Sequence, residues 1–245
     1  MIKIKICGLF REKDIDYANE AAPDYVGFVF ASESRRRIRP GIAAAFREKL
    51  RKGIVPVGVF VNAAVDEIAA LCRDGVIAMV QLHGGETDGY IDRLRERCGA
   101  PLIRAAGAES LEKAALSGSF PLCGPLKADY LLLDNGNGGT GRSFDWKLLD
   151  ILRTRIEPNG SSGTVHRGKA PKNPAPPGTG GHLPQNPVPV FLAGGIGFHN
   201  IEAALTWKPY AVDISTGAET DGIKDREKMI GLVQKVRTYR GSFPG

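Results

Sequence analysis

Along the chain, short runs of β-branched and aromatic residues alternate with longer stretches whose apolar positions recur at helical spacing. The runs predict eight strands: Ile2 to Ile6, Tyr25 to Phe30, Ile54 to Phe60, Ala78 to Leu82, Pro101 to Arg104, Tyr130 to Leu133, Val188 to Leu192 and Ala211 to Ile214. Helical spacing falls between them at Ile42 to Leu50, Val65 to Cys72, Tyr90 to Arg97, Ser110 to Leu116, Trp146 to Leu152 and Arg226 to Val236. A strand followed by a helix, over and over, means a parallel sheet, because parallel neighbours need crossover connections. Eight such units in 245 residues fit a closed (β/α)8 (TIM) barrel, an α/β fold, better than an open doubly wound sheet.

One segment breaks the rhythm. Residues 157–187 hold seven Pro and six Gly, no Phe, Trp or Tyr, and only Val165 and Leu183 as sizeable apolar groups. Such a stretch buries too little surface to offset its ordering entropy and is expected to be a disordered, low-complexity insertion between the helix of the sixth unit, Trp146 to Leu152, and strand 7. The rest reads as one barrel domain spanning residues 1–245. A helix-to-strand connection lies at the bottom of a barrel, so the insertion is expected far from any chemistry built at the strand C-termini.

Composition narrows the function. Lys plus Arg number 33 against 27 Asp plus Glu, a formal charge of +6, which favours anionic ligands. The basic residues are dispersed, and their one tight cluster, Arg35-Arg36-Arg37 with Arg39, has no aromatic interleaving, so nucleic acid is not the expected partner. No run approaches the roughly 18 apolar residues of a membrane span, and the alternating Lys and Ile of the first six residues do not form a signal peptide. The four cysteines, Cys7, Cys72, Cys98 and Cys123, form no CxxC pair and have no close His, which points to a reduced, cytoplasmic setting and to no metal site.

A barrel of this kind carries its reactive groups where strands end. At the first junction, period-two alternation places Lys5 and Cys7 on one face and Ile4 and Ile6 on the other. If the isoleucines meet the helices, Cys7 points into the mouth above a lysine that would favour its thiolate. Taken alone, Cys7 reads first as a small buried core residue. Asp134 follows the apolar run Leu131-Leu132-Leu133 and is either a pocket acid or base, or a loop-capping turn residue. The loop after it matches G-x-x-x-x-G-R-S at residues 136–143, one substitution from a nucleotide-binding loop. The mismatch replaces the essential lysine with Arg142, whose planar fork has another reach.

Two further junctions suggest an anion site. Gly194 and Gly195 follow the seventh strand, and Ser215, Thr216 and Gly217 follow the eighth, the loop pair that recurrently holds phosphate in barrels. Arg36, within its arginine run, is either a bidentate grip for a substrate carboxylate or one charge of a solvated loop. Gln81 and His83, at and just beyond the end of the fourth strand, are pocket-lining polar groups or turn residues.

Taken in order, these pieces resemble phosphoribosylanthranilate isomerase, the barrel enzyme of tryptophan biosynthesis. The resemblance rests on Lys5-Ile6-Cys7-Gly8, Val26-Gly27-Phe28-Val29-Phe30 with Ser34 and Arg36, Val57-Gly58-Val59-Phe60-Val61-Asn62, and Val80-Gln81-Leu82-His83-Gly84. It continues through Leu133-Asp134, Gly138-Gly139-Thr140-Gly141, Phe144-Asp145-Trp146, Leu192-Ala193-Gly194-Gly195-Ile196 and Asp213-Ile214-Ser215-Thr216-Gly217-Ala218-Glu219, covering the chain outside the insertion.

The resemblance implies an Amadori rearrangement of a small phosphorylated anionic substrate, N-(5-phosphoribosyl)anthranilate, without metal or cofactor. It makes Asp134 the general acid and Cys7 the general base. It also assigns the anthranilate carboxylate to Arg36 and the phosphate to Gly194, Gly195, Ser215, Thr216 and Gly217. Monomer and homodimer both remain open. The competing readings are a related aminoaldose isomerase of histidine biosynthesis, which the thiol at Cys7 disfavours, and a catalytically silent phosphosugar-binding barrel.

Overall fold

A computed structural model of the chain describes residues 1–107, 127–134 and 188–240. Its eight parallel strands are β1 (Lys3–Cys7), β2 (Tyr25–Val29), β3 (Val55–Phe60), β4 (Met79–Leu82), β5 (Leu102–Gly107), β6 (Tyr130–Asp134), β7 (Val190–Leu192) and β8 (Ala211–Ile214). Each pairs with the next, and β8 closes on β1 through Lys3–Ala211, Ile4–Val212, Lys5–Asp213 and Ile6–Ile214. The described helices are α1 (Glu12–Ala21), α2 (Pro40–Lys49), α3 (Val65–Arg73), α4 (Asp88–Arg95), α5 (Ile201–Thr206) and α6 (Arg226–Thr238). The predicted helices at 110–116 and 146–152, the Gly-rich stretch 136–143 and the insertion 157–187 lie outside the described residues.

Two helices escaped the sequence pattern, for different reasons. α1 buries only Ile15, Ala18 and Ala21 of its apolar residues, with Tyr17 half-buried beside them, a stripe too thin to stand out. Its start is set instead by Asp14, fully buried at the third helical position, which accepts from the backbone N–H of Phe10 and Arg11 at 3.0 and 2.9 Å. α5 is six residues long, shorter than two helical turns, so no periodicity can develop. Where helices were expected, local chemistry agrees. Thr87 caps α4 by accepting from the Tyr90 N–H, and Asp225 caps α6 by accepting from the Lys228 N–H.

Strand alternation then divides the side chains. Ile4, Ile6, Val26, Phe28, Leu131, Leu133, Val212 and Ile214 point outward into the main core against the helices. Inside, Tyr25, Val57, Met79, Ile103, Leu132, Phe191 and Ala211 form an apolar plug toward the strand N-termini. Tyr25 and Tyr130 meet Phe191 edge-on, at centroid distances of 5.4 and 5.5 Å. Above the plug the interior turns polar, and the strand C-termini open into a cavity.

Candidate active site

The polar layer begins with Lys5, which has no solvent exposure. Its Nζ donates to Asp213 Oδ2 at 2.9 Å and to Gln81 Oε1 at 2.8 Å. Burial opposes a charged lysine, but the Asp213 carboxylate, with a smaller contribution from Cys7, outweighs it and leaves the Lys5 pKa above its usual value. Lys5 is therefore an ammonium, a donor without an acceptor, so the Gln81 oxygen must face it. That turns the Gln81 Nε2 donor toward His83 Nδ1, 2.9 Å away, which must accept. A neutral His83 ring then keeps its proton on Nε2, and Nε2 stands 3.5 Å from Asp134 Oδ2. One buried cation thereby orients a chain of groups that ends at the candidate acid.

Cys7, Asp134, Arg36, Gln81 and His83 line a single cavity of about 170 Å³, together with Gly194, Gly195, Ser215 and Thr216. Sulfur and carboxyl share one compartment, as acid and base on one small molecule must. The expected help from Lys5 to the Cys7 thiolate is not sufficient. Burial pushes the Cys7 thiol up, Lys5 pulls it back, and Asp213 pushes it up again, so its pKa ends above the usual thiol value. The expected pull of Lys5 toward the thiolate is present, but burial outweighs it, and Asp213, paired with Lys5, adds its own opposition.

The arginine run resolves to one residue. Arg36 is 7% exposed and lines the cavity, whereas Arg35 and Arg37 are exposed and do not. Arg36 is held by Glu219, with Nε to Oε1 at 2.6 Å and Nη2 to Oε2 at 2.9 Å. Arg35 reaches the same carboxylate at 2.6 Å, and so does the buried Lys224, whose Nζ also donates to the Ser215 carbonyl at 3.1 Å. Burial alone would raise the Glu219 carboxyl, but the hydrogen bonds from Arg36 and Lys224 and their charges hold it below the usual range. Glu219 thus ties Arg36 to the loop after β8. Sequence reasoning quoted Glu219 within the final motif but assigned it no role, because partners 183 residues apart leave no local spacing to read.

Gly194 and Gly195 adopt φ of 88° and 64°, a left-handed pair that glycine alone takes without strain, and it turns the loop backbone at the cavity wall. Asn200 fastens this loop, accepting from the Gly197 N–H at 2.9 Å and donating to the Gly195 carbonyl at 3.1 Å; nothing in the sequence pattern pointed to it. The structure corrects the place of Gly217, which is not among the cavity-lining residues. It packs against the neighbouring loop, where a Cβ would stand 2.0 Å from the Ile196 carbonyl oxygen and 2.8 Å from the Gly197 Cα. Its missing side chain lets the loops after β7 and β8 touch.

Residues 4–157 and 181–235 match the family model of N-(5'phosphoribosyl)anthranilate (PRA) isomerase. The chain belongs to the PRA isomerase family. Between the two matched stretches lie residues 158–180, inside the Pro/Gly-rich segment. Among curated relatives, N-(5'-phosphoribosyl)anthranilate isomerase of Endomicrobium trichonymphae is 39% identical, over 97% of this chain and all of that protein. The namesake of Caldanaerobacter subterraneus subsp. tengcongensis is 36% identical, over 97% of this chain and 98% of that protein.

Solved structures agree. Phosphoribosyl anthranilate isomerase from Thermus thermophilus superposes with a TM-score of 0.73 at 28% identity, covering 98% of this chain and 100% of that one. A second PRA isomerase, solved with reduced 1-(o-carboxyphenylamino)-1-deoxyribulose 5-phosphate, superposes at 0.68 with 26% identity and the same coverage. The barrel expected from the alternation of strands and helices is the fold observed. Among the described residues, no helix is long and apolar enough to cross a membrane.

Proposed function

We propose that this chain isomerises N-(5-phosphoribosyl)anthranilate to 1-(2-carboxyphenylamino)-1-deoxyribulose 5-phosphate, with Asp134 as general acid and Cys7 as general base. The observation that carries this reading is the shared cavity. In a chain of the PRA isomerase family it brings a thiol and a carboxyl together with Arg36 and with the two small-residue loops.

Asp134 gives a proton to the ribose ring oxygen as the C1′–O bond breaks, leaving a protonated Schiff base between C1′ and the anthranilate nitrogen. The Cys7 thiolate then takes the proton from C2′; the C–H electrons form the C1′=C2′ double bond, and the C1′=N π pair moves onto the nitrogen and cancels its charge. The resulting enaminol tautomerises to the ketone. The Schiff-base cation beside Cys7 favours its ionised form at the moment it is needed, and a thiolate of raised pKa is a stronger base once formed. With Oδ2 facing His83, the Asp134 proton is delivered from the other oxygen.

Arg36, locked by Glu219, receives the anthranilate carboxylate, while Gly194, Gly195, Ser215 and Thr216 receive the phosphate. Gly217 supports that loop pair from outside the cavity wall. We place the enzyme in the cytosol, where a catalytic thiol stays reduced.

The test follows loss of anthranilate-type fluorescence on turnover of the purified protein. Cys7→Ala and Asp134→Asn should each cut turnover by about a hundredfold or more with unchanged circular dichroism. A folded Cys7→Ala variant with full activity overturns the assignment. Turnover of only a bis-phosphorylated imidazole substrate would mark the histidine-pathway relative instead.

A further inference from the structure

A second cavity, of about 510 Å³, lies at the strand N-termini, the end of the barrel away from Cys7 and Asp134. Cys72, in the last turn of α3, and Cys98, just past the end of α4, meet on its wall. Arg47, Arg73 and Arg97 line it with them, and among the described residues no carboxylate does. Both cysteines are free thiols; Cys72 is half-buried and Cys98 is 4% exposed. The steps above use neither.

A buried cysteine is ordinarily an inert apolar filler. Here the surroundings differ. The Cys98 sulfur takes hydrogen bonds from the Cys72 thiol and the Ala100 backbone N–H, with the positive charge of Arg95 nearby. Arg95 is fixed in that place by donating to the Ala100 carbonyl at 3.2 Å and to Asp129 Oδ2 at 2.6 Å. The hydrogen bond from Cys72 contributes most, and with the other two it outweighs burial and brings the Cys98 pKa down to about 6. Cys72 is pushed up by that same bond, by burial and by the neighbouring charge. One sulfur is thus a ready nucleophile and the other a protonated partner within reach, as an attacking and a resolving cysteine must be.

We propose that Cys72 and Cys98 are a modification site, a pair that hydrogen peroxide reversibly joins in a disulfide between α3 and the end of α4. The Cys98 thiolate attacks one peroxide oxygen; the O–O bond breaks, Cys98 becomes a sulfenic acid, and the departing hydroxide is protonated to water. The Cys72 sulfur then attacks the Cys98 sulfur. An S–S bond forms as the S–O bond breaks, and the leaving hydroxide takes the Cys72 proton as a second water. Two thiols lose two electrons, one peroxide gains them, and a dithiol reductant reverses the change. Cys7 is spared, because its raised pKa leaves it a thiol at neutral pH. Closing the disulfide at the strand N-termini leaves the active-site cavity intact, so the inference stands apart from the isomerase reading.

For the test, the intact, reduced chain is treated with an equimolar dose of hydrogen peroxide at neutral pH. Remaining thiols are blocked with iodoacetamide and the peptides are mapped by mass spectrometry. The disulfide between Cys72 and Cys98 should be the main oxidised product, about tenfold or more above oxidised Cys7, and dithiothreitol should restore both thiols. In Cys72→Ser, oxidation should stop at a Cys98 sulfenic acid that dimedone captures; in Cys98→Ser, peroxide consumption should slow about tenfold or more. Isomerase turnover of the intact chain should stay within about twofold of its untreated value.

Oxidation falling first on Cys7 or Cys123 overturns the proposal, as does Cys98 oxidised without a link to Cys72, or a chain whose thiols all survive the dose. Mapping of the intact chain decides by itself if a serine variant does not fold. A reversible disulfide formed in a chain without isomerase activity would overturn the isomerase reading alone.

Discussion

Cys7 is pulled in two directions, and the outcome is measurable. Burial and Asp213 keep its proton on, while Lys5 favours releasing it, and the balance lies above the usual thiol value of 9.0. Because kcat/KM reports groups of the free enzyme, its pH profile should still be rising above pH 9, and the limb should vanish in Cys7→Ala. A profile already flat from pH 7 would contradict this. Glu219 is the second residue whose environment makes a prediction. Glu219→Gln removes the anchor of Arg36 and leaves two buried cations without their counter-charge. KM should rise by about tenfold while kcat changes less, the pattern of lost binding rather than lost chemistry. The same carboxyl adds a pH-linked stability. Its pKa is depressed on folding, so its contribution is present above the unfolded value of about 4.3 and is lost as pH falls through the folded one. Acid unfolding monitored by circular dichroism should therefore begin at higher pH in the wild type's company of intact carboxylates than in a Glu219→Gln protein corrected for its lower starting stability.

At the scale of elements, the strands were legible because each is a short, mostly apolar run whose alternate residues must face either helices or barrel interior. β8 coincides with its expected range and other ends shift by up to three residues, as with β5, which continues to Gly107. α1 was illegible because its start depends on one buried aspartate and not on an apolar stripe. Strand pairing also creates a requirement that neither strand shows alone. Gly27 of β2 stands opposite Cys7 of β1, and a Cβ there would lie 2.6 Å from the sulfur. Gly27→Ala should displace the thiol and lower kcat/KM by at least about tenfold, with the far-ultraviolet spectrum unchanged. Full activity in that variant would show that the sulfur has room to move.

For the whole molecule, the family model leaves out residues 158–180 and resumes afterwards, which supports treating the Pro/Gly-rich segment as an addition to a complete barrel. Replacing residues 157–187 with a short linker should preserve isomerase activity within about twofold, since connections at that end of a barrel lie away from the chemistry. A folded but inactive deletion would put the segment at the active site instead. The sequence alone determined the eight-unit rhythm, the inward face carrying Lys5 and Cys7, and the strand-end positions of Asp134, Gln81, His83 and the small-residue loops. Those are local properties, set by alternation and by where apolar runs stop. Closure of β8 onto β1 decided the rest. Only then does Lys5 meet Asp213 and Arg36 meet Glu219, because each pair is distant along the chain and is joined by packing that no local period encodes.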